Sequence, residues 1–217
     1  DVINFGVGIG EGVAKMVAER GEVGRYYQTI EHGTYGGSLL VGLLFGFARS
    51  ASAMIDGPSQ FDFYAGGGLD TAFLGFGELD EAGDVNVSKL GGLTVGPGGF
   101  MDIAQNAKKV VFCGTFDTKG SKLEVGGGKL AISQHGSVRK LVRKVEQITY
   151  SGKQALKRGH KAVFVTERAV FHLENEGLVL SEVAPGIDIR HDILERMDFM
   201  PLIPRDPQLM DSAIFTD

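Results

Sequence analysis

Apolar residues in this chain gather into short runs separated by glycine-rich turns, and the order of the runs predicts its elements. Val2-Ile3-Asn4-Phe5-Gly6-Val7 has the length and apolar character of a buried strand. After the turn Gly6-Val7-Gly8-Ile9-Gly10-Glu11-Gly12, residues Val13, Ala14, Val17 and Ala18 recur at helical spacing, and Gly21 ends that helix. Arg25–Ile30 reads as the next strand and closes at Glu31. Gln60–Tyr64 is short and aromatic, and Gly66-Gly67-Gly68 leads into the apolar run Thr71–Phe76. Asp84–Leu90 alternates as a strand should, Gly98–Ala107 predicts a helix, and Lys109–Phe116 is the clearest buried strand. Alternating residues on either side of Gly126-Gly127-Gly128 predict a hairpin, and Ala162–Thr166, Ala169–Leu173 and Leu178–Val183 an antiparallel group. A last helix is expected over Arg190–Met197. Strands and helices in this alternation predict one layered α/β domain over residues 1–217, with a mostly parallel sheet.

Composition narrows the function. At 217 residues and 43% apolar the chain can bury an ample core, and no apolar run reaches the roughly 18 residues of a membrane span. A formal charge of −5 argues against a nucleic-acid partner, because counterion release rewards basic surfaces. The lone cysteine, Cys113, sits in Val110-Val111-Phe112-Cys113 and reads as a small buried hydrophobe. With no signal peptide in view, a cytoplasmic location is expected. Glycine stands out: 33 residues, about twice the usual ~7%. Their clusters are aperiodic and lie between apolar runs, as tight turns and ligand loops would. The chain opens inside a core strand, which predicts a fragment, a processed chain or one half of a larger enzyme.

Glu31 carries the strongest chemical signal. It closes an apolar run where Gly33-Thr34-Tyr35-Gly36-Gly37 lets the backbone turn, and strand ends of this kind expose reactive side chains in α/β proteins. Further on, Gly96-Pro97-Gly98-Gly99 offers bare N–H groups before a helix. A carboxylate that attacks and donors that hold an oxyanion sketch acyl transfer. Asn86 is unexpected in a strand, and is either an edge or bulge residue or a side-chain donor aimed into a site. Gly6-Val7-Gly8-Ile9-Gly10 is a weak dinucleotide signature, since Glu11 would oppose a phosphate. Gly66-Gly67-Gly68 fits a structural turn or a stretch where a ligand meets bare backbone. The five histidines have no ligand-like spacing, so no metal site is expected, and His32 should face away from Glu31. No Gly-x-Ser-x-Gly elbow is present, which argues against a serine hydrolase.

Taken in order, several of these segments resemble the carboxyl-terminal half of the family I CoA-transferases, within the acetate, propionate and 3-oxoacid subgroup. The resemblance runs nearly end to end. It is carried by Asn4-Phe5-Gly6-Val7-Gly8-Ile9, Thr29-Ile30-Glu31-His32-Gly33, Gln60 to Asp70, Gly96-Pro97-Gly98-Gly99-Phe100, Gln105 to Phe116 and Glu167-Arg168-Ala169-Val170-Phe171. It implies the three-layer α/β domain of that family, whose fold also hosts sugar-phosphate isomerases. It makes Glu31 the residue that becomes a glutamyl-CoA thioester. Gly96, Gly98 and Gly99 match the loop giving a backbone oxyanion donor, and Asn86 a second, side-chain donor. Gly6, Gly8, Gly10, Gly66, Gly67 and Gly68 match stretches lining the CoA channel. Gly10 departs from the proline expected there.

The implied activity is transfer of CoA from an acyl-CoA to a short-chain acid such as acetate, propionate or a 3-oxoacid. CoA is a substrate, and no permanently bound cofactor is implied. The implied partners are the amino-terminal half of the enzyme and further copies in a homo-oligomer. The isolated chain should expose an apolar face and turn over poorly. The alternatives are an acyl-exchange subunit of a lyase or decarboxylase using an acyl-carrier protein, and a non-catalytic domain on the same fold.

Overall fold

The computed structural model describes residues 1–216. The long strands are β1 (Val2–Phe5), β2 (Tyr27–Thr29), β3 (Thr71–Gly75), β4 (Lys109–Cys113), β5 (Lys161–Val165), β6 (Ala169–Glu174) and β7 (Gly177–Val183). They lie in the order β7-β6-β5-β4-β3-β1-β2 within a ten-stranded sheet, which continues past β2 through Thr34–Tyr35 and Ala53–Met54 and past β7 through Gln208–Leu209. From β2 to β5 all neighbours are parallel. β6 and β7 then fold back antiparallel, as their alternation predicts.

Among the described residues four α-helices cover the sheet: α1 (Ile9–Glu19), α2 (Gly57–Phe63), α3 (Phe100–Asn106) and α4 (Gly152–Arg158). Alternate side chains of each strand serve opposite faces. Ala72, Leu74, Val110, Phe112, Ala162 and Phe164 join Phe61 of α2, Tyr64 directly after it, Ile103 and Ala104 of α3, and Ala155 and Leu156 of α4 in the main core. On the other face Ile3, Phe5 and Phe73 meet Ala14, Val13 and Val17 of α1. The predicted hairpin forms from Lys122–Gly126 and Lys129–Gln134 and packs Leu130 beside Val170, Ala184 and Phe215. The result is three layers.

Two expected elements differ. Asp84–Leu90 is broken into Val85–Asn86 and Lys89–Leu90. The Asn86 carboxamide oxygen accepts from the N–H groups of Ser88 and Lys89, a local turn that competes with a continuous strand. The last predicted helix is a π-turn, Ile189–Ile193, followed by a 3₁₀ turn, Leu194–Arg196.

The topology fixes where a ligand site can form. From β1 the chain moves to β2 on one side, then returns to β3 on the other. Loops leaving the carboxyl ends of β1 and β3 therefore diverge and open a crevice, where ligands bind in open α/β sheets.

Candidate active site

Glu31 stands at this crevice, at the tip of a tight hairpin. The Ile30 N–H donates to the Thr34 carbonyl (3.1 Å), and the Gly33 N–H donates back to the Ile30 carbonyl (2.9 Å), leaving Glu31 and His32 at the bend. Gly33 takes φ +98°, and a β-carbon there would overlap the Ile55 carbonyl oxygen. Only glycine fits. Ile30 is fully buried, so the hairpin is anchored in the core directly before the carboxylate.

The Glu31 side chain borders a cavity of about 340 Å³ shared with Gly6 after β1, Gly75 ending β3, Val87, and the loop Pro97-Gly98-Gly99. Its Oε2 atom is buried and has no hydrogen-bond partner among the described residues. The N–H groups of Gly98 and Gly99 are also without a protein acceptor among the described residues, whereas the Gly96 N–H is taken by the Ser88 carbonyl (3.0 Å). Gly98 has φ +51°, and a β-carbon on Gly99 would lie 2.7 Å from the Phe61 ring. Both positions are thus held to glycine, one by conformation and one by packing.

Behind Glu31 a polar network crosses the otherwise apolar core. Asn4 and Thr29 are register partners on β1 and β2. Thr29 Oγ1 lies 2.7 Å from the Tyr64 hydroxyl, and Asn4 Nδ2 donates to that hydroxyl at 3.3 Å. Burial raises the Tyr64 phenol above its ordinary pKa, and the negative charge of Glu31 adds to the rise. The sequence signal for this network is Asn4, a polar residue inside the apolar run Val2–Val7; its partners lie too far along the chain for spacing to reveal them.

Several expected ligand contacts are relocated. Of the first glycine cluster only Gly6 borders the cavity. The Gly8 N–H is occupied by Glu11 Oε1 at 2.8 Å, so the chain's own carboxylate fills that cradle. Gly10 is buried where a β-carbon would lie 2.9 Å from the Phe73 carbonyl, which makes it a helix-to-sheet packing glycine. Gly66, Gly67 and Gly68 precede the amino end of β3, at the opposite end of the parallel strands from Glu31. They form a turn after α2, because the crossover from the carboxyl edge must return to the amino edge before β3 begins.

Asn86 is also placed otherwise than expected. It is fully buried, and its amide N–H groups go to the Glu78 carboxylate (2.7 Å) and the Lys89 carbonyl. With its oxygen engaged as well, the amide has no donor left for an oxyanion. His32 is exposed at the hairpin tip and contacts Phe45. Burial pushes the Cys113 thiol up to about 11, which suits a packing role.

One cluster crosses segments that sequence spacing could not connect. His135, His191 and Asp192 bring ligand-type atoms within 4.8 Å of one another. His135 Nδ1 lies 3.2 Å from Arg168 Nη1, which can only donate, and Nε2 lies 3.3 Å from Asp192. Burial, then the charges of Arg168 and Arg196, lower the His135 pKa. The arrangement is an ion-pair network around the buried pair Arg168–Asp117.

No protein-family model matches the chain. Acetate CoA-transferase YdiF of Escherichia coli O157:H7 is 46% identical over 214 residues, 99% of this chain and 40% of that protein. The crystal structure of this acyl-CoA transferase as a thioester complex with CoA matches with a TM-score of 0.92 and 44% identity, over 100% of this chain and 41% of that one. The chain belongs to the CoA-transferase family. Caffeate CoA-transferase of Acetobacterium woodii is likewise 46% identical, over 100% of this chain and 42% of its own length. The beta subunit of acetate CoA-transferase from Haemophilus influenzae is 30% identical over 142 residues, 65% of this chain and 54% of that subunit. The chain spans about two fifths of the length of YdiF and of the caffeate enzyme. Among the described residues no helix is long and apolar enough to cross a membrane.

Proposed function

We propose that this chain is the catalytic-glutamate half of a CoA-transferase that moves CoA from an acyl-CoA to a carboxylic acid through a glutamyl-CoA thioester on Glu31. The observation that carries the reading is the unpartnered, buried Glu31 oxygen in a cavity also lined by Gly98 and Gly99, whose N–H groups are unused. A carboxylate is ionised at neutral pH and needs no base to become a nucleophile.

Glu31 attacks the thioester carbonyl, and the tetrahedral oxyanion is held by the Gly98 and Gly99 N–H groups. The carbon–sulfur bond breaks and CoA leaves as thiolate, giving an acyl-glutamyl anhydride. The thiolate attacks the glutamyl carbonyl of the anhydride and expels the first acid as its carboxylate. An acceptor carboxylate then runs the sequence in reverse, with ping-pong kinetics. Each oxyanion donor contributes ~3–4 kcal/mol in the transition state. The curated relatives differ in the acid they are named for, acetate against caffeate. The proposed acceptor for this chain is a short-chain acid such as acetate, propionate or a 3-oxoacid.

The partner is the amino-terminal half that such an enzyme carries, and the resemblance to a beta subunit supports it. Residues 41–47 lie beside the Glu31 hairpin, with the Thr34 hydroxyl donating to the Gly46 carbonyl, and expose Leu43, Leu44 and Phe47. We assign this apolar surface to contact with that half, in a cytoplasmic homo-oligomer.

Acetyl-CoA incubated with propionate and the full-length protein tests the activity. Propionyl-CoA should form, with parallel lines in double-reciprocal plots. Glu31→Asp should be at least ~10²-fold slower, because a shortened side chain misplaces the attacking oxygen by ~1 Å. A requirement for an acyl-carrier protein in place of CoA would overturn the reading.

A further inference from the structure

A second cavity, of about 420 Å³, adjoins the Glu31 cavity along the chain. Gly75 borders the first and Gly77 the second, and two residues span no more than about 7 Å. The second cavity is lined by Gly77, Glu78 and Leu90 on one side, by Thr115 and Thr118 on another, and by Lys140. Lys140 is only 8% exposed. Its ammonium lies 4.0 Å from the centre of the Phe76 ring and has no direct hydrogen-bond or ion-pair partner among the described residues. Gly114 makes room for it, since a β-carbon there would come within 2.9 Å of Nζ.

A lysine buried with no carboxylate in direct contact is costly and therefore uncommon. The other charged groups lining this cavity are differently placed. Arg139 is tied to Asp198, Met197 and Glu195. Glu78 accepts from Asn86 and from the Glu146 N–H. Lys119 is exposed, at the rim. Lys140 alone brings a buried, unspent charge to the cavity.

We propose that Lys140 forms an oxyanion-group subsite next to Glu31, which takes a carboxylate or phosphate group of a substrate engaged at Glu31. This rests on the function proposed above and names the chemistry of a neighbouring subsite. Two sources share that chemistry: the phosphates of CoA and the carboxylate of an acid substrate. Burial lowers the Lys140 pKa to about 8, against the pull of Glu167 and Asp117. The site is therefore charged and receptive at neutral pH and weakens above pH 8, with Glu78, Lys119 and Arg139 as the other charges on its walls.

The test uses the full-length protein with Lys140→Met, which keeps the apolar stem, and Lys140→Arg, which keeps the charge. In the first arm, lysines carry ¹³C at Cε, and the Lys140 signal is identified by its loss in Lys140→Met. Inorganic phosphate or acetate should shift that signal saturably. In the second arm, Lys140→Met should raise KM at least tenfold for one anionic substrate, with kcat within about twofold and partial rescue in Lys140→Arg. If the source is CoA phosphate, the preference for acetyl-CoA over acetyl-pantetheine collapses; if it is the acid, that preference holds and KM for propionate rises. A Lys140 signal unmoved by both anions, or unchanged KM values in a folded Lys140→Met protein, overturns the proposal. The CoA adduct on Glu31, assayed in the same variants, reports separately on the underlying function.

Discussion

Gly33 packs so closely on Ile55 that a β-carbon there would overlap the Ile55 carbonyl oxygen, while the Ile55 N–H donates to the Gly33 carbonyl (2.9 Å), and this pairing holds the bend that presents Glu31. Gly33→Ala must overcome both the overlap and the φ of +98°. Overpacking alone costs about 1–3 kcal/mol. Gly33→Ala should lower the melting temperature and abolish adduct formation at Glu31. Wild-type stability and adduct yield in this variant would mean that the turn does not position the carboxylate.

At Gly98 a β-carbon would meet no atom within 4 Å, so alanine there burdens only the backbone at φ +51°. A loop that relaxes toward negative φ would turn its N–H away from the cavity. Loss of one oxyanion donor costs about 10²–10³-fold in kcat. Gly98→Ala should therefore lower kcat at least tenfold while KM for acyl-CoA stays within about twofold, because the oxyanion exists only near the transition state. Steady-state kinetics decide it; a raised KM with unchanged kcat would make the loop a binding element.

Asn86 invites the opposite expectation. Its amide spans Glu78, Lys89 and the Ser88–Lys89 turn inside a buried region. Asn86→Ala leaves these groups without partners, at about 1–3 kcal/mol each where they remain buried. Thermal unfolding should show clear destabilisation. Chemistry per folded molecule should change little, as active-site titration against turnover would show. A large kcat loss without destabilisation would return Asn86 to the oxyanion role.

Much of this was readable from the order of residues. The parallel strands announce themselves as apolar runs, and Glu31 is marked by the glycines that follow it. The glycine clusters were harder, because sequence alone does not distinguish a glycine kept for a ligand from one kept for packing. Gly10 is needed by the Phe73 carbonyl, 63 residues away in the chain, and Gly8 spends its N–H on Glu11. Gly66–Gly68 required knowing at which end of β3 they fall, which the sheet order decides. Lys140 gave no local signal, since its burial arises from Phe76 and Gly114 on other segments.

Lys140 also links pH to stability. Its pKa in the fold, about 8, lies below the ordinary 10.5, so between these values the unfolded chain binds more protons and stability rises with pH. Below pH 8 the full burial cost, up to about 3 kcal/mol, is present. Lys140→Met should therefore melt higher than wild type at pH 7, by a margin that shrinks toward pH 10.5. Calorimetry across that range checks the sign. A margin independent of pH would mean that Lys140 titrates normally in the fold.

The central claim is the covalent role of Glu31. The full-length protein incubated with acyl-CoA, then digested and mapped by mass spectrometry, should carry CoA on the peptide containing Glu31, and the Glu31→Gln protein should carry none. CoA attached to any other residue, or turnover with no adduct at all, would contradict the account.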